Sequence, residues 1–325
     1  MLMRNRSGLV IRRPGLVTTV QDLGRVGYQR YGLSVSGAMD RTALRIGNRL
    51  VGNPDGAAGL EVTLQGPEIE FTGGALVAIA GADLSPSLNG HPLPMWSTFP
   101  ASPGDLLRFG ARRHGCRAYV CFSGGLDVPM VFGSRSTDVR AGIGGLDGRR
   151  LRQGDELRFG PSPRRFSSSA RQQLPFSEQP TYSLCPALRV VRGPHAEQFS
   201  SRALTTFLKS RFVVSVNSNR MGYRLDGAPI PHRGSAEMIS DATAAGTIQI
   251  PAGKQPILLM ADCQTTGGYP KLASVITIDM AQAAQLAPGD ITTFTLTTVE
   301  AAILLCRRER DKLDRLLPPI PPGGG

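Results

Sequence analysis

Short apolar runs recur along the whole chain, and each ends at a glycine, a proline or a polar turn. Runs of this length, alternating or continuously apolar, are typical of β-strands. The predicted strands of the first half are 60–72, 75–80, 106–109, 116–123 and 156–159. Those of the second half are 187–192, 211–216, 246–250, 256–261, 272–278 and 291–297. We therefore predict a mainly β protein.

Helical periodicity is confined to three short stretches. Residues 38–51 carry apolar side chains at helical spacing, with Ser36 as the expected N-cap. A second helix is predicted from Pro194 to Leu208, since proline suits the first helical turn. A third is predicted near 298–317, and the proline- and glycine-rich tail after it is expected to be disordered.

One turn-and-strand phrase occurs in both halves, with Gly-Asp leading into alternating apolar residues. It lies at 103–109, 153–159 and 288–294. Glycine and aspartate suit the tight turn, so the repeat suggests two related barrels. The predicted division is a first barrel half (1–165), a serine- and proline-rich linker (166–183), a second barrel half (184–305), and a charged helix end with its tail (306–325).

The chain is basic, with a net charge of +12 over 325 residues. Lysine occurs only at Lys209, Lys254, Lys271 and Lys312, so arginines scattered along the chain carry most of the positive charge. A nucleic-acid-binding surface concentrates basic side chains and interleaves them with aromatic residues, and no such stripe is present. We expect a small anionic substrate or an acidic partner subunit, and no nucleic acid.

Cysteine usage and the apolar runs bear on the compartment. The five cysteines form no Cys-x-x-Cys pair, and an odd number without such pairs is typical of a reducing compartment. The N-terminal residues lack the apolar segment of a signal peptide, and the longest apolar runs have the length of strands. We expect a cytoplasmic protein without a membrane segment.

Two glycine-containing segments offer polar side chains beyond what strand packing requires. Residues 18–40 contain four glycines and several hydrogen-bonding groups, among them Ser36 and Asp40, and can line a site. In 217–227, Arg220 and Arg224 flank a flexible Gly-Tyr pair and suit bidentate capture of a carboxylate or phosphate. The alternatives are a connection packed by its own side chains and a surface hairpin with solvated arginines.

The third segment, 262–271, gathers more chemistry within ten residues. Asp262 follows a predicted strand, and a Thr-Thr-Gly-Gly turn leads to Tyr269 and Lys271. Backbone N–H groups of a glycine-rich turn can hold a developing oxyanion, and the acid and the cation can assist. The alternative is an ordinary hairpin turn.

Several familiar sites are not predicted. The only Gly-Lys pair, at 253–254, lacks the surrounding residues of a phosphate-binding loop, so no ATP site can be drawn. The four histidines are isolated, and we expect no protein-bound metal. A serine hydrolase is disfavoured because the chain has no Gly-x-Ser-x-Gly elbow.

Several phrases, taken together, resemble one family. They are TTVQDLGRVGYQRYGLSVSGAMD, ALRIGNRLVGN, LEVTLQGPEIEF, SNRMGYRLDG, GTIQIPAGKQPILLMADCQTTGGYP and AQLAPGD, in order from Val10 to Phe294. The chain is identified as similar to the biotin-dependent carboxyltransferase family, which is also labelled allophanate hydrolase subunit 2 and which includes the C subunit of 5-oxoprolinase. The resemblance implies two cyclophilin-like β-barrels, with the site in the cleft between or beside them.

The resemblance also implies roles for individual residues. Asp262, Tyr269 and Lys271 are the implied catalytic residues, although arginine can replace Lys271 in similar chains. The anionic group of the substrate is assigned to Arg220 and Arg224. The other implied substrate contacts are Ser36, Asp40, Gln249, Gln264, Thr265, Thr266, Gly267 and Gly268, and Gln255 flanks the same strand pair.

The function implied is that of a carboxyltransferase-like C subunit of an ATP-dependent 5-oxoprolinase, which converts 5-oxo-L-proline to L-glutamate. It implies a sister B subunit and an A-type subunit, ATP consumed by the complex, no covalently bound cofactor and no activity of the chain alone. One alternative is a biotin-dependent carboxyltransferase acting on urea or a similar small amide. Another is a regulatory protein that sequesters its sister subunit.

Overall fold

The computed structural model of the protein describes residues 7–162 and 172–320. Contacts within the chain divide it into two compact units. The first unit collects the described parts of Met1–Arg25, Asp40–Thr181 and Lys312–Gly325. The second unit collects Val26–Met39 and Tyr182–Asp311. This division differs from the consecutive one expected from sequence, because each unit includes a segment distant in the chain.

The first unit is built from β-strands and one helix. Its strands are β1 (Gly8–Arg13), β2 (Val17–Gln21), β3 (Gly59–Thr63), β4 (Glu68–Phe71), β5 (Ala75–Asp83), β6 (Ser87–Leu88), β7 (His91–Pro92), β8 (Ser97–Ala101), β9 (Leu106–Arg108), β10 (His114–Phe122) and β11 (Glu156–Arg158), and its helix is α1 (Arg41–Leu50). One sheet has the order β11-β1-β4-β9-β6-β7 and the other the order β2-β3-β10-β5-β8. Inward-facing side chains of both sheets form a single apolar core.

The second unit holds a closed barrel. Its strands are β12 (Ala187–Arg192), β13 (Phe212–Val214), β14 (Gly222–Asp226), β15 (Asp241–Ala242), β16 (Thr247–Gln249), β17 (Ile257–Leu259), β18 (Thr266–Gly267), β19 (Lys271–Val275) and β20 (Ile291–Leu296). The barrel order is β12-β19-β16-β17-β14-β13-β20, and parallel pairing of β20 with β12 closes it. β15 and β18 form a separate two-stranded sheet. The prediction of a mainly β fold is confirmed.

The remaining helices belong mostly to the second half of the chain. They are α2 (Ser201–Lys209), α3 (Met280–Ala284) and α4 (Val299–Leu316), with short 3₁₀ turns at Gln29–Tyr31, Phe176–Glu178, Ala196–Gln198 and Thr277–Asp279. Within the described residues, no helix combines the length and apolar character needed to cross a bilayer.

Helix α1 forms as predicted but with a different cap. The carboxylate of Asp40 accepts the N–H of Ala43 at 2.9 Å, so the prediction of Ser36 as the N-cap is wrong. Asp40 is the nearer polar residue to the first turn, and its side chain reaches an N–H that has no partner within the helix. Asp40 is fully buried. Its own N–H donates to the Tyr119 hydroxyl at 2.7 Å, which in turn donates to Glu61 at 2.7 Å.

The second predicted helix begins later than Pro194. Residues 196–198 form an isolated 3₁₀ turn, and Phe199 is extended with φ −116° and ψ 144°. The ring of Phe199 is buried, and its backbone pairs with His232, which holds the chain out of helical geometry. The helix starts after Ser200, whose hydroxyl accepts the N–H of Ala203 at 3.0 Å.

The repeated Gly-Asp phrase has the same structure at all three positions. Each aspartate side chain accepts a backbone N–H three residues earlier, at 2.7 Å for Asp105, 2.7 Å for Asp155 and 2.8 Å for Asp290. The preceding glycine has φ between 87° and 89° in each case, a conformation that disfavours side chains. The sequence repeat therefore marks a repeated turn at the start of β9, β11 and β20.

The serine- and proline-rich segment is partly packed on the first unit. The N–H of Thr98 donates to Gln172 at 2.8 Å, and that of Leu174 donates to Trp96 at 2.9 Å, which extends the sheet beyond β8. The side chain of Leu174 is buried. Residues 163–165 of the predicted first barrel half, residues 166–171 of the predicted linker and residues 321–325 of the predicted disordered tail lie outside the described residues.

Candidate active site in the second unit

Strand pairing brings two segments distant in sequence to the same end of the barrel. β14 pairs with β17 in antiparallel register, with Gly222 opposite Leu259. The pairing continues past both strand ends, because Met260 N–H donates to Met221 at 3.0 Å and Asp262 N–H donates to Arg220 at 2.9 Å. The turn that precedes β14 and the segment that follows β17 therefore lie side by side.

Ser36, Arg220 and Asp262 form what we call the Asp262 cluster. Arg220 binds the carboxylate with two nitrogens, Nε to Oδ2 at 2.8 Å and Nη2 to Oδ1 at 2.9 Å. Ser36 Oγ donates to Oδ1 at 2.8 Å. The side chains of Arg220 and Asp262 are 13% and 9% exposed, so a charge-assisted, bidentate pair is held away from most of the solvent.

The same cluster holds the segment 34–37 against the barrel. Ser36 N–H donates to Ala261 O at 3.0 Å, and Arg220 Nη2 donates to Gly37 O at 2.6 Å. Ser34 Oγ donates to Cys263 O at 2.9 Å. Burial, with a smaller contribution from Asp262, raises the pKa of the Cys263 thiol to about 11. The thiol beside the cluster is therefore protonated at neutral pH.

A second group, the Lys271 cluster, comprises Gln249, Gln264, Gly267, Lys271 and Asp241. Lys271 Nζ lies 3.0 Å from Asp241 Oδ2, and this contact lowers the pKa of the Asp241 carboxyl. Gln264 Nε2 lies 3.5 Å from Gln249 Oε1. The side chain of Lys271 is 3% exposed and Gln249 is 1% exposed, whereas the side chain of Asp241 is 57% exposed. Two polar groups of the barrel are thus buried beneath the β15–β18 sheet.

The predicted Thr-Thr-Gly-Gly turn is not a turn in the structure. Thr266 and Gly267 form β18, which pairs with Ala242 and Asp241 of β15. Gly268 O accepts the N–H of Met238 at 3.1 Å, so the pairing extends past the strand. A segment of residues 238–243 therefore covers what the sequence presents as an open hairpin, because only tertiary pairing reveals the covering strand.

The other predicted site residues are distributed between exposed and structural positions. Tyr269 is 41% exposed, Thr265 is half-buried, and Thr266 and Arg224 are exposed. Arg220 was predicted to bind an anionic group of the substrate, but its described bonds are to Asp262 and Gly37. These residues' roles toward a substrate stay predictions.

Two further residues predicted near the substrate have structural partners. Asp40 caps α1 within the first unit. Gln255 exchanges two hydrogen bonds with the backbone of Gly227, at 3.0 Å and 3.1 Å. Both side chains thus hold local backbone geometry in the structure.

Three residues that the sequence did not place in the site contact Lys271 or Gln264 in the structure. Asp241 pairs with Lys271, and Nδ1 of His195 accepts the N–H of Lys271 at 3.2 Å. The hydroxyl of Thr243 donates to Gln264 O. No local pattern indicates these residues, because Asp241 and Thr243 lie in a polar stretch and His195 is isolated in sequence. Among the described residues, no group of three or more His, Cys, Asp or Glu side chains could hold a metal ion.

Comparison with known proteins identifies the chain's relatives. The family model described as carboxyltransferase domain, subdomain A and B, matches residues 31–296. The chain is 39% identical to the 5-oxoprolinase C subunit of Escherichia coli K12, over 91% of this chain and 93% of that protein. It is also 34% identical to urea amidolyase of Lachancea kluyveri, over 90% of this chain but 17% of that protein.

Solved structures agree with these relationships. The crystal structure of the K. lactis urea amidolyase superimposes with a TM-score of 0.90 at 30% identity. The superposition covers 97% of this chain and 20% of the longer chain, so this protein corresponds to about a fifth of that one. With the family model and relatives above 30% identity spanning most of its length, the chain belongs to the carboxyltransferase family that combines subdomains A and B.

Proposed function

We propose that the chain is the C subunit of a 5-oxoprolinase, which acts with partner subunits to convert 5-oxo-L-proline to L-glutamate at the expense of ATP. The observation that carries the proposal is the extent of the similarity to the Escherichia coli C subunit, which includes 91% of this chain and 93% of that protein. The urea amidolyase from Lachancea kluyveri matches over only 17% of its own length. The 5-oxoprolinase C subunit of Haemophilus influenzae is also similar, with 34% identity over 92% of this chain.

The two polar clusters of the barrel suit the chemistry of opening a lactam. Water adds to the ring carbonyl carbon, the ring C–N bond breaks, and the nitrogen takes a proton. Negative charge develops on the carbonyl oxygen, where positioned hydrogen-bond donors stabilise it. We assign this task to the hydroxyl of Tyr269, a residue that is 41% exposed. Asp262 positions the segment 34–37 through Ser36 and Arg220.

The proposal includes two partners, a sister B subunit and an A-type subunit. Two relatives are themselves named as C subunits of 5-oxoprolinase, which supports a complex of several subunits. ATP is assigned to the complex, and no covalently bound cofactor is assigned to this chain. The chain alone is expected to be inactive.

A second candidate is a biotin-dependent carboxyltransferase acting on urea or a similar small amide. The superposition on the K. lactis urea amidolyase, with a TM-score of 0.90 over 97% of this chain, supports it. Under this alternative, biotin bound elsewhere delivers the carboxyl group. A regulatory role in sequestering the sister subunit is a third candidate, and it requires no catalytic contribution from Asp262.

Reconstitution with the partner subunits tests the proposal. The purified complex with ATP and 5-oxo-L-proline is expected to release glutamate, and Asp262→Asn is expected to reduce the rate strongly. Asp226→Asn is the matched control, because Asp226 is an exposed carboxylate on β14.

The alternatives give different results in the same assay. Activity that depends on bicarbonate and is blocked by avidin selects the carboxyltransferase. Tight partner binding with turnover unaffected by Asp262→Asn selects the regulatory role. An intact complex that releases no glutamate contradicts the proposed function.

A further inference from the structure

Gln249 and Lys271 lie next to each other on the outer face of the barrel. They are direct partners in the antiparallel pairing of β16 with β19. Side chains of paired residues lie on the same face of a sheet, and successive residues alternate between faces. The register of this pairing shifts between Ile248 and Gln249. Ile248 and Ile250, on either side of Gln249, and Leu272, next to Lys271, belong to the barrel core, so Gln249 and Lys271 point to the opposite side. They are nevertheless almost completely buried, at 1% and 3% exposure.

This buried pair has more hydrogen-bond donors than acceptors. Among the described residues, Gln249 Nε2 has no hydrogen-bond partner. Lys271 Nζ carries three donors, and its one described contact is with Asp241 at 3.0 Å. A buried donor without an acceptor destabilises a fold, so such a group in a native protein calls for an explanation. The missing partner is an acceptor, and a negatively charged one suits the adjacent ammonium.

The glycine at position 267 leaves room for the buried amide of Gln249. A Cβ atom at Gly267 would lie 2.7 Å from Gln249 Nε2 and 3.3 Å from Gln264 Nε2. Any side chain at this position would occupy the place next to the unpaired donor. The backbone at Gly267 does not require glycine for its conformation, because it is part of β18 and has no positive φ. The absence of a side chain at position 267 is therefore explained by the close approach of the Gln249 amide.

We propose that Gln249 Nε2 and Lys271 Nζ form the subsite for the carboxylate of the substrate. The inference rests on the proposed function, since 5-oxoproline carries one carboxylate, and it assigns that group to Lys271 rather than to Arg220. The nitrogens of Arg220 already bind Asp262 and Gly37, whereas the Lys271 ammonium and the Gln249 amide have donors to spare. Lys271 is then a binding residue rather than the catalytic residue implied by sequence.

Steady-state kinetics of the reconstituted complex test this assignment. Gln249→Met and Lys271→Met remove donors while keeping side-chain length. Because the carboxylate is charged before and during the reaction, each variant is expected to raise KM for 5-oxo-L-proline about tenfold or more, with a smaller change in kcat. KM for ATP should not change. Exposed Gln153→Met and Lys254→Met are the matched controls.

Two kinetic results overturn the assignment. If kcat falls while KM is unchanged, the donors act on charge that develops only in the transition state, so the ligand is the carbonyl oxygen. If both parameters stay within twofold of the wild type, the pair has no role in binding. Thermal unfolding separates a structural role, because Gln249→Met removes an unpaired buried donor and, with the amide oxygen, only a 3.5 Å contact with Gln264, so Tm should change little. A clear fall in Tm for Gln249→Met, without a change in KM, also counts against the subsite.

A binding measurement on the full chain alone distinguishes failure of this inference from failure of the proposed function. Calorimetric titration with 5-oxo-L-proline and with its neutral carboxamide compares ligands that differ in the carboxylate. Preference for the carboxylate that is lost in Lys271→Met supports the subsite even if the complex forms no glutamate. Equal binding of the two ligands, or no binding of either, overturns it.

Discussion

The bidentate pair between Arg220 and Asp262 should dominate the local stability of the segment 34–37. We consider Arg220→Met, Asp262→Leu and the double variant. Each single change leaves a charge without its partner at a site where the side chains are only 13% and 9% exposed. Breaking a fully buried pair costs about 3–5 kcal/mol, and the residual solvent contact lowers our expectation to about 3 kcal/mol for each single variant.

The double variant isolates the interaction energy between Arg220 and Asp262 from their contacts with other residues. Since neither charge is left without its partner, the double variant should cost no more than about 3 kcal/mol, against about 6 kcal/mol for additive effects, so the coupling energy is at least about 3 kcal/mol. The Ser36 bond is lost together with the carboxylate and adds about 1 kcal/mol to the variants that lack Asp262.

Hydrogen exchange of individual amides measures the local free energy of opening in each variant, without assuming that both units unfold together. The informative amides are those of Ser36, which donates to Ala261, and Asp262, which donates to Arg220. Their free energy of opening should fall in the single variants, while that of Ile11, in the first unit, should not change. Additive effects, with a coupling energy below about 0.5 kcal/mol, would refute the view that this pair holds the segment.

Three further predictions concern single residues. Cys263, whose pKa is raised to about 11, should react slowly with iodoacetamide at neutral pH and faster as the pH rises toward that value, and rapid alkylation at neutral pH would contradict this. Gly267→Ala should displace the amide of Gln249 and raise KM for 5-oxo-L-proline. Gly253→Ala is the control, because a Cβ there meets nothing within 4 Å, and its KM should not change. Equal kinetics of the two variants would count against a role of the Gln249 amide in binding. Two arginines lower the pKa of Glu68 to about 2, so Glu68→Gln should reduce the free energy of unfolding at neutral pH by about 1 kcal/mol. Because a lowered acid pKa stabilises the fold above the unfolded value, that difference should disappear as the pH falls from about 4.5 to about 2, and a difference independent of pH would contradict the ion pairs.

The predicted strands were found because their signals are local. The segment 187–192 coincides with β12, and the predicted run 75–80 lies inside β5. Alternating apolar positions and glycine turns act over a few residues, so they can be read without knowledge of the fold. β14 was missed, because its sequence, 222–226, carries glycine and arginine and becomes a strand only by pairing with β13 and β17.

The candidate site was predicted as a set of residues but not as an arrangement. Asp262, Gln249 and Lys271 were predicted from the polar segments around them, and their partners in the structure lie far away in sequence. Arg220 is 42 residues from Asp262, and Asp241 is 30 residues from Lys271. Strand register decides such contacts, and a shift of one residue would place each side chain on the other face.

By itself, the sequence determined the strand-rich architecture, the repeated Gly-Asp turns and the resemblance to a carboxyltransferase family, because these depend on short segments and on their order. The tertiary structure alone decided that Arg220 binds Asp262, that β15 covers β18, and that the amide of Gln249 is buried without an acceptor among the described residues. A side chain's unsatisfied hydrogen bond is a property of everything packed around it, so no pattern along the chain can reveal it.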